Sequence, residues 1–100
     1  MPDLTSKQRA HLRGLAHSLK PTAHVGKDGV TPAVLDALRE TFGANELVKV
    51  RVLEAAPESA KATAHALAGA IDDAVVVQVM GRNVTLYRPD ADEPQIRLPR

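Results

Sequence analysis

Residues 74–88 read AVVVQVMGRNVTLYR, and the fold turns on this stretch. The β-branched run AVVVQVM suits a buried, pleated surface, GRN is a turn, and VTLYR is a second strand, which predicts a β-hairpin over Ala74–Arg88. Upstream, LVKVRVL (47–53) sets Val48, Val50 and Val52 against Lys49 and Arg51. Period two is that of a strand covered on at least one face. Between these segments, Pro57–Ile71 is alanine-rich, with Leu67 and Ile71 four apart and Glu58 placed to complement a helix dipole. A helix is predicted there. Another precedes it: Thr31-Pro32 reads as N-cap and first helical residue, Val34, Leu35, Leu38 and Phe42 line one face, and Gly43 is placed to end the helix with positive φ.

At the start of the chain, Thr5 and Gln8 have the spacing of a capping box, in which each side chain serves the other residue's backbone amide. Leu12, Leu15, Ala16 and Leu19 then form an apolar stripe that ends before Pro21. Arg9, Arg13, His17 and Lys20 form a basic stripe roughly 100° around the same helix, facing solvent. Gly14 interrupts that helix at a cost of about 1 kcal/mol. Pro21–Val25 reads as a strand stopped by glycine. Residues 89–100 read as a loop and extended tail, whose Ile96 and Leu98 could dock back. The order is α-β-α-β-α-β-β. Strands joined through helices need crossovers, so parallel pairing is expected early and an antiparallel pair at the end. The predicted fold class is α/β, one domain over residues 1–100 with a four-stranded mixed sheet and helices.

One hundred residues with 44% hydrophobic content suit a single core. No apolar run reaches the roughly 18 residues of a membrane span, and MPDLTSKQ has no signal-peptide pattern, so a soluble, cytoplasmic protein without a membrane partner is expected. There is no cysteine, hence no disulfide or thiolate ligand. Asn83-Val84-Thr85 spells a glycosylation acceptor, which without a secretory signal is not expected to be used. His11 and His17 belong to no ligand cluster, and no nucleophile elbow or Walker loop occurs. Asp72-Asp73, a carboxylate pair of the kind acid–base chemistry uses, reads as a turn between helix and strand. No catalytic residue, metal or cofactor is expected, and the chain is not read as an enzyme.

The net charge of +1 hides an asymmetry. Residues 1–29 carry Lys7, Arg9, Arg13, Lys20 and Lys27 against Asp3 and Asp28, a net +3, while residues 30–79 carry −3 and residues 80–100 carry +1. Such a split marks either an anionic partner or a solvated charged face. Stacking on aromatic platforms would be minor, because the aromatics are Phe42, on an apolar helix face, and Tyr87, which could stack or pack. Lys49 and Arg51 beside Glu46 and Glu54 form either a mixed recognition face or a solvated strand face.

Gly26-Lys27-Asp28-Gly29 is either a simple tight turn or an anion-binding loop. Glycines admit positive φ and close backbone approach, and the helix start beyond favours an anion by about 0.3–1 kcal/mol. Asp28 counts against phosphate: at about 6 Å in water the repulsion is roughly 0.7 kcal/mol, close to what Lys27 returns.

LRGLAHSLKPTAHVGKDGVTPAVLDAL, followed by ELVKVRV, VQVMGRNVTLYRP and IRLPR, resembles the CRM domain of the small bacterial YhbY-type proteins over nearly the whole chain. That resemblance implies a fold similar to the C-terminal domain of bacterial initiation factor three. It also implies RNA binding, with ribosomal RNA and precursors of the large ribosomal subunit as partners, by a monomer that assists assembly. The family's GxxG loop, likened to the four-nucleotide clamp of KH domains, maps to Gly26, Lys27, Asp28 and Gly29, here between strand and helix rather than between helices. Its basic first helix maps to Arg9, Arg13, His17 and Lys20. Asp28 departs from the uncharged or basic residues common at that loop position. The alternative reading is a protein interaction module docking on a ribosomal or assembly protein through the acidic middle or the tail.

Overall fold

The computed structural model describes residues 4–90 and 92–99; residues 1–3, 91 and 100 of the predicted domain and tail, Asp3 and Arg100 included, lie outside these. The hairpin is present as β3 (Val75–Met80) and β4 (Asn83–Tyr87). Its loop is the pair Gly81-Arg82, with Gly81 at φ 59°, the glycine-first pattern of a type II′ turn. β4 is an interior strand. On its other side lies β2 (Leu47–Val52), antiparallel, and beyond that β1 (Ala23–Val25), parallel to β2, giving the order β1-β2-β4-β3. The expected mixed sheet is therefore built of one parallel and two antiparallel pairings.

Helix α1 (Ser6–Ala16) starts on the capping box, Thr5 Oγ1 accepting from Gln8 N at 3.1 Å and Gln8 Oε1 from Thr5 N at 3.0 Å. It ends sooner than the leucine spacing predicts. His17 N donates to Gly14 O and Leu19 N to Ala16 O, tight i→i−3 bonds that close the helix, so Leu19 and Lys20 lie beyond it. Leu12 and Ala16 are buried, but Leu15 is 41% exposed and leaves the predicted stripe.

Helix α2 (Pro32–Ala44) has Thr31 as N-cap and Pro32 first, as read. Gly43 does not end it. The helix passes through that residue to Ala44 and is closed by Asn45, whose backbone N and Nδ2 both donate to Thr41 O. Helix α3 (Ala60–Ala70) begins three residues later than predicted, because Ser59 is the cap, its Oγ accepting from Ala62 N. Pro57 and Glu58 stay in the preceding loop. Asp73, with φ 65°, makes the turn into β3.

α2 and α3 cover one face of the sheet, where Val25, Leu38, Phe42, Val50, Leu67 and Leu86 are among the packed residues. α1 covers the other face over Leu47, Val77 and Tyr87. Tyr87 is 2% exposed, so it packs rather than stacks. Burial, and secondarily the nearby Glu46 carboxylate, raise its phenol above the usual value. The tail docks as expected through Ile96 and Leu98. What holds it is Glu46, 6% exposed, whose carboxylate accepts from the backbone amides of Asp90 (2.6 Å), Gln95 (2.7 Å) and Ile96 (2.6 Å). Asp90 in turn accepts from the amides of Glu93 and Asp92, which lower its carboxyl below the ordinary range.

Candidate nucleic-acid interface

The GKDG loop leaves the end of β1, where Leu53 N bonds to Val25 O, and closes as a turn in which Gly29 N donates to Gly26 O at 2.9 Å. Its two glycines are not equivalent. Gly29 is buried with φ 68°, and a Cβ there would lie 3.1 Å from Pro57 Cγ, so the fold requires it. Gly26 has no positive φ, and its Cβ would meet only Leu53 Cδ1 at an ordinary 3.7 Å. Lys27 and Asp28 between them are exposed.

The helix start offers an anion less than the sequence suggests. Pro32 has no N–H, Val34 N is taken by Thr31 Oγ1 at 3.2 Å, and Leu35 N is taken by Thr31 O. Of the first four helical positions, that leaves the Ala33 amide. The loop is a modest anion site by backbone count as well as by charge.

The basic stripe of α1 also divides. Arg9 turns inward: Nη1 donates to Val76 O at 2.6 Å and to Val77 O at 2.8 Å. These carbonyls sit where the β3–β4 register shifts between Val76 and Gln78, a bulge that disrupts the ladder. Arg9 is thus a fold residue and not an exposed contact. Arg13 and His17 are exposed toward the end of α1, and Lys20 is exposed beyond it.

The sheet contributes what the sequence reading left undecided. Strand register places His24 beside Arg51, Arg51 beside Asn83, and Asn83 beside Met80, one row across four strands. In the adjacent row Lys49 lies beside Thr85, and Thr85 beside Gln78. Both rows are on the face that carries α1, because Lys49 and Arg51 alternate with buried Val48, Val50 and Val52, which face α2 and α3. α1 covers only part of this face. The end of α1 and these two sheet rows present Arg13, His17, His24, Lys49 and Arg51 without a carboxylate among them, and Lys20 is exposed in the segment that follows α1. Arg82 in the hairpin loop and Lys27 in the GKDG loop lie at the same end of the sheet, since Val52 N bonds to Arg82 O and Val25 pairs with Val52. Among the described residues the one ion pair is Arg39–Asp36, so these cations are unpaired there. Glu46 does not share the face, being engaged with the tail, and Glu54 lies beyond the strand, so the mixed recognition face of Lys49, Arg51, Glu46 and Glu54 is not formed. His24 and Arg82 were not legible as site residues. The available signal was the alternation in β2, which needs the register of β1 and β4 before it selects neighbours.

Residues 4–88 match the CRS1 / YhbY (CRM) domain. A Bacillus subtilis protein named "Probable RNA-binding protein YqeI" is 38% identical over 96 residues, covering 96% of this chain and 99% of that protein. A Haemophilus influenzae protein named "RNA-binding protein" is 37% identical over 100 residues, covering 100% and 99%. The solution structure of the hypothetical protein SAV1595 from Staphylococcus aureus matches with a TM-score of 0.81 at 34% identity, over 97% of this chain and 100% of that one. With 85% or more of the chain in register with each relative and its strands and helices in the order described, the chain belongs to the CRS1 / YhbY (CRM) domain family.

Proposed function

We propose that this chain is a non-enzymatic RNA-binding module that holds structured ribosomal RNA. In this reading it associates with precursors of the large ribosomal subunit and assists assembly in the cytoplasm, as a monomer. The observation that carries the proposal is the set of cations, unpaired among the described residues, on the exposed part of the α1 face. Relatives named as RNA-binding proteins support the partner class. Phosphate contacts supply affinity, and the fixed spacing of the strand rows selects shape. If about five phosphates are neutralised, log K falls with log salt at a slope near −3.5 for single-stranded RNA. A flat salt dependence in a filter-binding titration would sink the proposal.

The second reading, docking on a ribosomal or assembly protein, has one observation in its favour. A cleft of about 330 Å³ opens at the opposite end of the sheet, lined by Leu15, Leu19, Ala44, Leu47 and Ile96 among others. Sedimentation with ribosomal particles before and after ribonuclease treatment separates the two. Retention after the RNA is digested would favour the protein partner.

A further inference from the structure

A second, smaller cleft of about 70 Å³ lies between the end of α1 and the sheet, lined by Arg13, Ala16, His17, Lys49, Gln78 and Met80. We infer that this cleft takes the edge of one unpaired nucleobase, which the Gln78 amide reads, with adenine preferred. The inference rests on the RNA reading above and adds base selectivity to a face otherwise matched to phosphate.

The lining is not that of a phosphate seat. Met80 is 56% exposed in a row otherwise made of His24, Arg51 and Asn83, and Ala16 is buried on the helix side. A thioether and a methyl group give an anion nothing, but they suit the face of a ring, and methionine sulfur makes favourable aromatic contacts. The Arg13 guanidinium and His17 imidazole are planar groups of the kind on which unstacked RNA bases pack. Gln78 is half-buried, and its amide has no hydrogen-bond partner among the described residues. It carries a donor and an acceptor side by side.

Gln78 is also held in place. The bulge at Val77 sets Gln78 opposite Thr85, and the Arg9 guanidinium fixes the carbonyls of Val76 and Val77 immediately before it. Adenine offers an adjacent donor and acceptor on its Watson–Crick edge and again at N6 and N7, so an amide matches it in either orientation. Guanine presents two acceptors on its N7 edge, and the pyrimidines match on one edge only. Lys49 and Arg13 remain available for the flanking phosphates.

The test measures fluorescence anisotropy of the full chain with adenine, cytosine and uracil oligoribonucleotides of equal length, across a salt series. The wild type is expected to favour the adenine strand about fivefold or more, the lower end of what one bidentate amide–base pair discriminates. Gln78→Leu should bring the three strands together while leaving the salt slope unchanged. Gln78→Glu, nearly isosteric and therefore a control on folding, should also lose the adenine preference, because a carboxylate accepts from adenine N6 and cytosine N4 alike and has no N–H for the ring nitrogen beside them. Met80→Ala should weaken all three. Salt-dependent binding that is equal for the three strands in the wild type, or an adenine preference retained in Gln78→Leu, overturns the base site and leaves the RNA reading standing. Absent binding to every strand overturns the base site, and salt-independent or absent binding to structured ribosomal RNA as well overturns both.

Discussion

The Arg9 guanidinium holds the Val77 carbonyl at 2.8 Å across 68 positions of sequence, and through the same nitrogen holds Val76 at 2.6 Å. One cation of the basic helix is thereby spent on a β-bulge. Arg9→Met should destabilise the fold by about 1.5–3 kcal/mol, because the bond is charge-assisted and the bulge carbonyls are left without it. Arg13→Met, exposed and not part of the core, should stay within about 0.5 kcal/mol while weakening RNA binding. Urea melts of both variants check the split, and equal stability losses would contradict it.

The two loop glycines make an independent comparison. Gly29→Ala forces a side chain to φ 68° and presses Cβ against Pro57, so a loss of about 1–2 kcal/mol is expected from the backbone alone. Gly26→Ala has room and no positive φ, so its stability should change by no more than about 0.5 kcal/mol. Any loss of RNA affinity in Gly26→Ala then reports contact with the partner rather than damage to the fold.

The legible parts of this fold were local. Thr5 with Gln8, and Thr31 with Pro32, act within one helical turn, and both caps form as the spacing implies. The alternation of Val48, Val50 and Val52 likewise needed only strand periodicity. What escaped depends on pairings distant in sequence. Leu15 fits the apolar stripe by spacing, yet what covers that face is set by β2, β3 and β4, and it ends up exposed. The face shared by His24, Arg51 and Asn83 exists only once β1, β2 and β4 are in register. Charge counting located the basic first third but could not distinguish Arg9, turned onto β3, from Arg13, turned to solvent.

Glu46 is a single buried carboxylate with three backbone amide partners, which makes the tail conditional on its charge. Glu46→Gln places an NH₂ group where one carboxylate oxygen accepted, so at least one amide loses its partner at a cost of about 1–3 kcal/mol. Limited proteolysis should then cut within residues 92–99 sooner than in the wild type. Unchanged cleavage would mean that Ile96 and Leu98 alone hold the tail.

Tyr87 gives a pH dependence of known sign. Its folded-state pKa is raised, first by burial and then by Glu46, so the neutral phenol is the form the fold favours. The associated stability is fully present below the unfolded value of about 10 and is lost as pH rises from there through the folded value. Glu46→Gln removes the smaller cause and should lower the Tyr87 pKa only part of the way. Ultraviolet titration of this single tyrosine reads both.

Lys27 and Asp28 are adjacent and exposed in the loop, while Arg51 sits at the middle of a strand row with no carboxylate beside it. Lys27→Ala removes one exposed charge, worth roughly 0.7 kcal/mol at about 6 Å in water, whereas Arg13→Glu or Arg51→Glu reverses one, so Lys27→Ala should cost less RNA affinity than either. Asp28→Asn removes a repulsion of roughly 0.7 kcal/mol at about 6 Å in water and should tighten binding by up to about 1 kcal/mol. The gain should shrink as salt rises, since an exposed charge is screened over about 10 Å at 0.1 M. Filter-binding titrations at two salt concentrations test this directly: no gain at either would show that Asp28 points away from the RNA, and a larger loss for Lys27→Ala than for Arg51→Glu would move the main contact surface from the sheet to the loop.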